Sequence, residues 1–533
     1  MKMKKQGFLL GAVFLTSSTI IVKLLGFLFT IPLTNMIGTE GMGYFYTSYD
    51  LYNFLATIYS AGIPVALSKM ISEADSRHDI QGVKKINNVA TIVLLSFGFT
   101  LGLIMFFGAG VFANWLKNPY ASYSIKALSP LILFSSIMCV GRGYFQGLSN
   151  MIPTAVSSVI EAMSKFFLGV GLAWFILKST NQPEFASAGA ITGVTVGSLL
   201  GAIYIFTYKK VNHLPKEKDA SDQADKLSKR LIFKRMLWLA IPITIGASVF
   251  SIVNFLDTAI VLRQLQDGAG FSNSEANQLF GIFGNTKKLF NLPIAFIIPL
   301  TISVLPALAS ANVNHDKKRI NENASLAIKL TSLIAFSTGI GFVALSKPIF
   351  TLIYYNSTPY EAEVGSKLLF ILGIAVVLCS FVMITNSILQ ALGKVQAPVF
   401  TMIIGGVFKV ISSWYLVSNV NINIYGAAIS TCICYLIIVI FNFIYLLKII
   451  PSLISSLKQL FKPFFSACIM GTLARASYCL VITIFGTKLS CVFSIMIGAC
   501  AFLIMLIVTD SISKTDLESV PNGEKIAEIL HVK

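Results

Sequence analysis

The 533 residues are 55% hydrophobic and only 12% charged. A soluble domain carries about 25% charged residues, so this chain has too little polar surface to cover a water-soluble globule. The net charge is +18, which in a soluble protein would suggest nucleic acid; here most lysines and arginines lie between apolar blocks, where they read as topology signals, and no nucleic-acid partner is expected.

The apolar blocks are long enough for helices to cross a hydrocarbon core of roughly 30 Å. A membrane barrel would show short alternating strands instead. The expected fold is therefore an all-α integral membrane protein with about fourteen transmembrane helices. The start, Met1-Lys-Met-Lys-Lys, resembles a signal peptide. The apolar run behind it is too long for an h-region and lacks a clear cleavage site, so it reads as an uncleaved first span.

Spans are expected at about 7–34, 44–72, 87–112, 123–147, 152–177, 186–208, 236–262, 276–308, 322–346, 364–391, 396–418, 424–447, 462–484 and 489–510. Numbered from a cytoplasmic N-terminus, the even gaps should be basic. They hold Arg77, Lys84 and Lys85; Lys209 to Arg235; Lys317, Lys318 and Arg319; Lys394; and Lys448, Lys458 and Lys462. The odd gaps carry few basic residues, such as Lys117 in one and Lys178 in another. This alternation predicts a multi-pass cell-membrane protein with both termini cytoplasmic.

One long polar stretch divides the chain. The expected domains are a six-helix lobe at 1–211, a cytoplasmic linker at 212–234, a second six-helix lobe at 235–450, two additional helices at 451–511 and a cytoplasmic tail at 512–533. The lobes share sequence patterns. Gln146-Gly-Leu-Ser-Asn-Met-Ile-Pro153 leads to Lys165, as Gln390-Ala-Leu-Gly-Lys-Val-Gln-Ala-Pro398 leads to Lys409. Pro64 precedes Arg77-His78-Asp79, as Pro306 precedes Asn314-His315-Asp316. Two pseudo-symmetric lobes with one orientation follow, with a substrate path expected between them.

Ionisable side chains within spans are costly and functional by default. Lys23, Asp50, Glu161, Lys165, Asp257, Lys287, Lys288, Lys409 and Arg475 all fall there. Glu161 and Lys165 are four apart on one helix face and are expected to pair structurally; Lys409 matches Lys165 in the repeat. Arg142, near a span end, is expected to snorkel. Lys23 and Lys288 have no opposite charge within a turn of their own helix, and suit an anionic ligand such as phosphate or pyrophosphate. Asp50, Asp257 and Lys287 join them as expected substrate contacts. Prolines 32, 64, 242, 293, 299 and 306 are expected to interrupt spans, Pro64 and Pro293 as gating hinges.

No enzyme signature is present. There is no Walker A loop, the four histidines lie in polar segments, and the eight cysteines read as small buried hydrophobes. No cofactor or metal is expected.

Arg142-Gly-Tyr-Phe-Gln-Gly-Leu-Ser-Asn-Met-Ile-Pro-Thr-Ala-Val-Ser-Ser-Val-Ile-Glu161 resembles a signature of the polysaccharide and lipid-linked-precursor exporters. These belong to the multidrug/oligosaccharidyl-lipid/polysaccharide flippase superfamily. Lys23-Leu-Leu-Gly-Phe27, Gly62-Ile-Pro-Val-Ala-Leu-Ser-Lys69 and Lys288-Leu-Phe-Asn-Leu-Pro293 extend the similarity to the Gram-positive group that holds lipid II flippases and the stage V sporulation protein B. The resemblance implies a flippase for an undecaprenyl-pyrophosphate-linked cell-wall precursor. It implies a central cationic cavity to which Lys23 and Lys288 contribute, and a groove for the polyprenyl tail on the last two helices. Phe29, Ala56 and Thr57 stand where Gram-negative members carry arginines. The implied driving force is the membrane potential or a coupling ion, Na+ or H+, and the implied partners are the lipid-linked oligosaccharide, the bilayer and the cell-wall synthesis machinery. Export of another lipid-linked polysaccharide unit, cation-coupled multidrug export and a non-transporting scaffold role remain alternatives.

Overall fold

The computed structural model describes residues 8–211, 228–509 and 511. The segment 212–227 of the expected linker and the expected tail at 512–533 lie outside the described residues. The elements are α1 (Phe8–Ser60), α2 (Ile63–Ser76), α3 (Ile80–Phe107), α4 (Ala109–Trp115), α5 (Ala121–Gly147), α6 (Ile152–Thr180), α7 (Pro183–Val211), α8 (Lys229–Arg263), α9 (Asn273–Val313), α10 (Lys317–Ala344), α11 (Ser346–Ile353), α12 (Pro359–Ala391), α13 (Gln396–Val417), α14 (Tyr425–Ile449), α15 (Leu453–Gln459) and α16 (Phe461–Val508). One π-helical turn, Gln264–Gly268, extends α8. Among the described residues there is no strand.

Twelve helices are long and apolar enough to cross a bilayer, and two of them fold back on themselves. A straight α1 would be about 80 Å long, far beyond a core of roughly 30 Å. It breaks at Gly38 (φ 71°, ψ 178°). Phe29 and Phe45 would sit about 24 Å apart on a straight helix, yet their ring centroids are 5.8 Å apart. In α16 the break is at Gly486 (φ 70°, ψ 175°). There the Ser466 and Thr509 hydroxyls, 43 residues apart, lie within 3.2 Å. Each break turns one long helix into a pair of crossings, which reconciles twelve long helices with about fourteen spans. Both glycines occupy a backbone region that is essentially closed to other residues.

Of the prolines expected to interrupt spans, only Pro64 lies at a break. It sits in the first turn of α2, just after α1 ends, where its missing N–H costs nothing. Pro32, Pro242, Pro293, Pro299 and Pro306 all lie inside continuous helices.

The described contacts divide the chain into two compact units, Met1–Gly284 and Asn285–Lys533. In the first, α6 and α7 pack through a glycine ladder. Gly189, Gly193, Gly197 and Gly201 recur every fourth residue of α7. A Cβ at 193 would strike the Gly169 backbone, and one at 197 would lie 2.9 Å from the Glu161 carbonyl. Small residues at this spacing let membrane helices approach backbone to backbone. Gly62 is equally tight, since a Cβ there would collide with the Ala240 carbonyl and the Thr244 hydroxyl of α8.

In the second unit, apolar residues from α9, α10, α12, α14 and α15 form a core that includes Leu308, Ile328, Ile384 and Leu446. Gly339 and Gly373 bring α10 and α12 together. Asn442, fully buried, binds three helices. It donates to the Thr385 hydroxyl at 2.9 Å and to Asn386 Oδ1 at 2.7 Å, and accepts from Thr401 at 2.8 Å. Polar glue of this kind suits a medium where leucine gains nothing by leaving lipid.

The sequence repeat has a structural counterpart. His78 and His315 both adopt positive φ, at 57° and 51°. The aspartate after each caps the next helix. Asp79 accepts from the Gly82 N–H at 2.6 Å and Asp316 from the Arg319 N–H at 3.0 Å. Ser149 and Gly393, matched in the other repeated motif, also share positive φ. In both chain halves a short helix, α4 or α11, follows the long one.

The Gly38 turn generates an expected outcome. Gly38→Ala should lower stability by about 1–3 kcal/mol, read from SDS unfolding in mixed micelles. Gly26→Ala, which meets open space, should not. Equal stability of the two variants would remove the strain argument.

Candidate functional site

A charge at membrane depth needs an opposite charge, a hydrogen-bonding shell, a π-face or water. The first unit shows the first three of these and one cation with none of them among the described residues.

Arg142 and Glu161 form an ion pair, with Nη2 3.1 Å from Oε2. The Ser198 hydroxyl donates to the other carboxylate oxygen at 2.9 Å, and Arg142 Nε donates to the Ser157 hydroxyl at 3.2 Å. This corrects two expectations. Arg142 does not snorkel, and the partner of Glu161 is Arg142 rather than Lys165. The cause is packing. Gly197 draws α7 close enough for Ser198 to reach the carboxylate, while α5 brings Arg142 from the other side.

Lys165 turns instead towards α1. Its ammonium lies 4.7 Å from the Tyr49 ring centroid, 5.0 Å from that of Phe29 and 5.9 Å from that of Phe45. It also donates to the Tyr49 hydroxyl at 3.4 Å. Cation–π contacts strengthen when desolvated, to about 2 kcal/mol or more. Phe29, expected at a cavity position, is wholly buried in this cage. The cage depends on the α1 turn, because Phe29 lies before Gly38 and Phe45 and Tyr49 after it.

Asp50 is half-buried and accepts from the Thr258 hydroxyl of α8 at 2.7 Å. Asp257, next to Thr258, is 2% exposed and engaged with its surroundings. A second contact between the same helices joins the Thr57 and Ser251 hydroxyls at 2.7 Å. Ala56 is buried.

Lys23 differs from all of these. It is exposed and has no ion-pair or hydrogen-bond partner among the described residues. It lies roughly 22 Å along α1 before the Gly38 turn, and Asp50 roughly 18 Å after it. The two therefore sit at similar depth on the two arms. An ammonium at that depth is not stable against hydrocarbon and requires water or an anion.

Near the Gly38 turn lies a polar cluster that the sequence reading missed. Asn118, fully buried, donates to the Thr47 hydroxyl at 2.9 Å and to Asn277 Oδ1 at 2.8 Å. Asn277 donates to the Glu40 carbonyl at 2.8 Å. Gln266 and Asn273 both donate to the Lys117 carbonyl, and the Lys117 ammonium pairs with Asp267 at 3.0 Å. These bonds tie the end of the α1 hairpin to α8 and the start of α9.

In the second unit, Lys287 and Lys288 are half-buried in α9, six and five residues before Pro293, and both are engaged with neighbouring groups. Lys409 is 5% exposed in α13 and likewise engaged. Arg475 is exposed on α16. Among the described residues no group of three or more His, Cys, Asp or Glu side chains is placed to hold a metal.

The pairing at Glu161 is testable by a double-mutant cycle. Arg142→Gln and Glu161→Gln should each destabilise, with a coupling energy of about 1–3 kcal/mol. The Lys165→Gln and Glu161→Gln pair should couple less. The reverse order would restore Lys165 as the partner.

Comparison with known proteins places this arrangement. Over 525 residues the chain is 26% identical to stage V sporulation protein B of Bacillus subtilis (strain 168), covering 97% of this chain and 98% of that one. Over 447 residues it is 24% identical to the lipid II flippase MurJ of the same organism, covering 81% of each. Among solved structures it resembles a lipid II flippase MurJ in an inward closed conformation, with a TM-score of 0.68 at 16% identity over 94% of this chain and 98% of that one. It also resembles an inward-facing multidrug resistance transporter of the MATE family, of the MOP superfamily, with a TM-score of 0.66 at 16% identity over 83% and 96%. The structural likenesses establish a shared fold. Residues 8–312, more than half of the sequence, match the polysaccharide biosynthesis protein family, and the chain belongs to that family.

Proposed function

We propose that this protein is a flippase that carries an undecaprenyl-pyrophosphate-linked cell-wall precursor, lipid II-like, from the inner to the outer leaflet by alternating access. The observation that carries the reading is Lys23, an exposed ammonium on a membrane-spanning helix with no partner among the described residues. A pyrophosphate supplies the missing charge and several acceptor oxygens for its three N–H donors. The named relatives, a lipid II flippase and a sporulation protein, support the same class of cargo. In this reading Lys23 holds the headgroup; Lys287 and Lys288, and the exposed apolar side chains of α16 such as Leu480 and Ile484, are further proposed substrate contacts within the second unit. Both termini face the cytoplasm.

A second reading is cation-coupled export. The Asp50 carboxylate with the Thr258 hydroxyl, beside Asp257, offers oxygens of the kind that suit Na+ or a proton, and the MATE-like fold favours it. The two readings separate by cargo. Proteoliposomes loaded with defined lipid-linked glycans should show outward flipping by the wild type and a loss of roughly tenfold or more in Lys23→Ala, with folding preserved. Full transport by Lys23→Ala would count against the anion-binding role. Drug efflux without glycan flipping would favour the second reading.

A further inference from the structure

A pocket of about 470 Å³ opens where the end of α2 and the start of α3 meet the start of α8. Its volume falls within the range of ligand-binding cavities. Four cations line it: Arg77, Lys85, Lys234 and Arg235. Two acids face them, and both are already committed. Glu73 pairs with Arg235 at 2.7 Å, and Asp79 caps α3 by accepting from Gly82. Arg77, Lys85 and Lys234 have no partner among the described residues. The pocket lining therefore carries a net charge of +2, four cations against two carboxylates, beside apolar side chains such as Met70 and Ile232.

Its edge is also distinctive. Trp238 lines it and is 75% exposed, and Leu231 beside it is exposed as well. Tryptophan concentrates at membrane–water interfaces. Positive-inside reasoning accounts for basic residues on this side of the membrane, but not for their convergence on a concave site with an exposed indole at its edge. Basic pockets between membrane helices are suited to anionic lipid headgroups.

We propose that this pocket binds the phosphate-bearing headgroup of a lipid at the inner surface of the membrane. The phosphate oxygens accept from Arg77, Lys85 and Lys234, and the first carbons of the chains lie along Trp238 and Leu231. The Glu73–Arg235 pair sets the separation of α2 and α8 on which the pocket depends, so an occupied pocket stabilises that closed spacing. The proposal is independent of Lys23 and of the cargo proposed above.

Native mass spectrometry and thermal unfolding of the full chain test it. Four probes are compared: phosphatidylglycerol, undecaprenyl pyrophosphate, inorganic phosphate and zwitterionic phosphatidylcholine. The wild type should bind one of the first two and gain thermal stability. The Arg77→Gln/Lys85→Gln/Lys234→Gln variant should lose at least about tenfold in apparent affinity, while unfolding in phosphatidylcholine at the wild-type temperature. Lys234→Glu alone should show the same loss and serves if the triple variant misfolds. Lys23→Ala should keep wild-type binding of phosphatidylglycerol, which is not the proposed cargo, so failure here is separable from failure of the transport reading. Binding of phosphatidylglycerol alone identifies a bulk lipid as the source, and binding of undecaprenyl pyrophosphate alone identifies the carrier lipid; either supports headgroup recognition. Equal affinities in the wild type and both variants, or stabilisation by inorganic phosphate without any gain from a lipid, would overturn it.

Discussion

Charge inside a hydrocarbon layer must be answered locally, and the first unit answers it in four ways. Arg142 and Glu161 neutralise each other and use serines for their spare donors and lone pairs. Lys165 relies on three aromatic rings. Asp50 accepts a hydroxyl hydrogen bond from a neighbouring helix. Lys23 has none of these. The first three solutions are internally closed. The fourth is open, and its desolvation is tolerable only when something outside the chain supplies the counter-charge. This contrast, more than the number of cations, is the ground for proposing Lys23 as the ligand contact.

The closed solutions depend on backbone geometry. The cage around Lys165 draws on both arms of the α1 hairpin, so it exists only because Gly38 reverses the helix. The carboxylate of Glu161 is reached by Ser198 only because α7 carries glycines where it meets α6. In both places a residue without a side chain determines where a charged one can point.

Much of this was legible in the sequence. The span count followed from apolar block length and was supported by loop charge. The two repeated motifs proved to be turns of the same kind, each pairing a left-handed residue with its neighbours in the same order. Charge partnership was not legible. Residues four apart on a helix are the nearest candidates by spacing, yet Glu161 pairs across helices, because inter-helix distance depends on packing that linear spacing does not encode. The Asn118 cluster was also missed, since asparagines near span ends look like ordinary interfacial residues until burial is known. The glycine ladder of α7 is visible in the sequence as four glycines at regular spacing. The long membrane helix α9 continues through Pro293, Pro299 and Pro306 without ending.

The ladder has a mechanical consequence. At Gly193 and Gly197, α6 and α7 touch backbone to backbone, while Gly189 and Gly201 meet the side chains of Ile176 and Met138. Sliding or parting there would open voids that nothing nearby can fill. These two helices therefore travel as one rigid strut. The seam between α1 and α8 is of another kind, where hydroxyl contacts such as Thr57 with Ser251 and Thr258 with Asp50 lie beside the stacked rings of Phe54 and Phe255. Water replaces such bonds at little net cost. Within this unit, the hydroxyl contacts of the α1–α8 seam are therefore easier to exchange than the Gly193 and Gly197 contacts of α6 and α7.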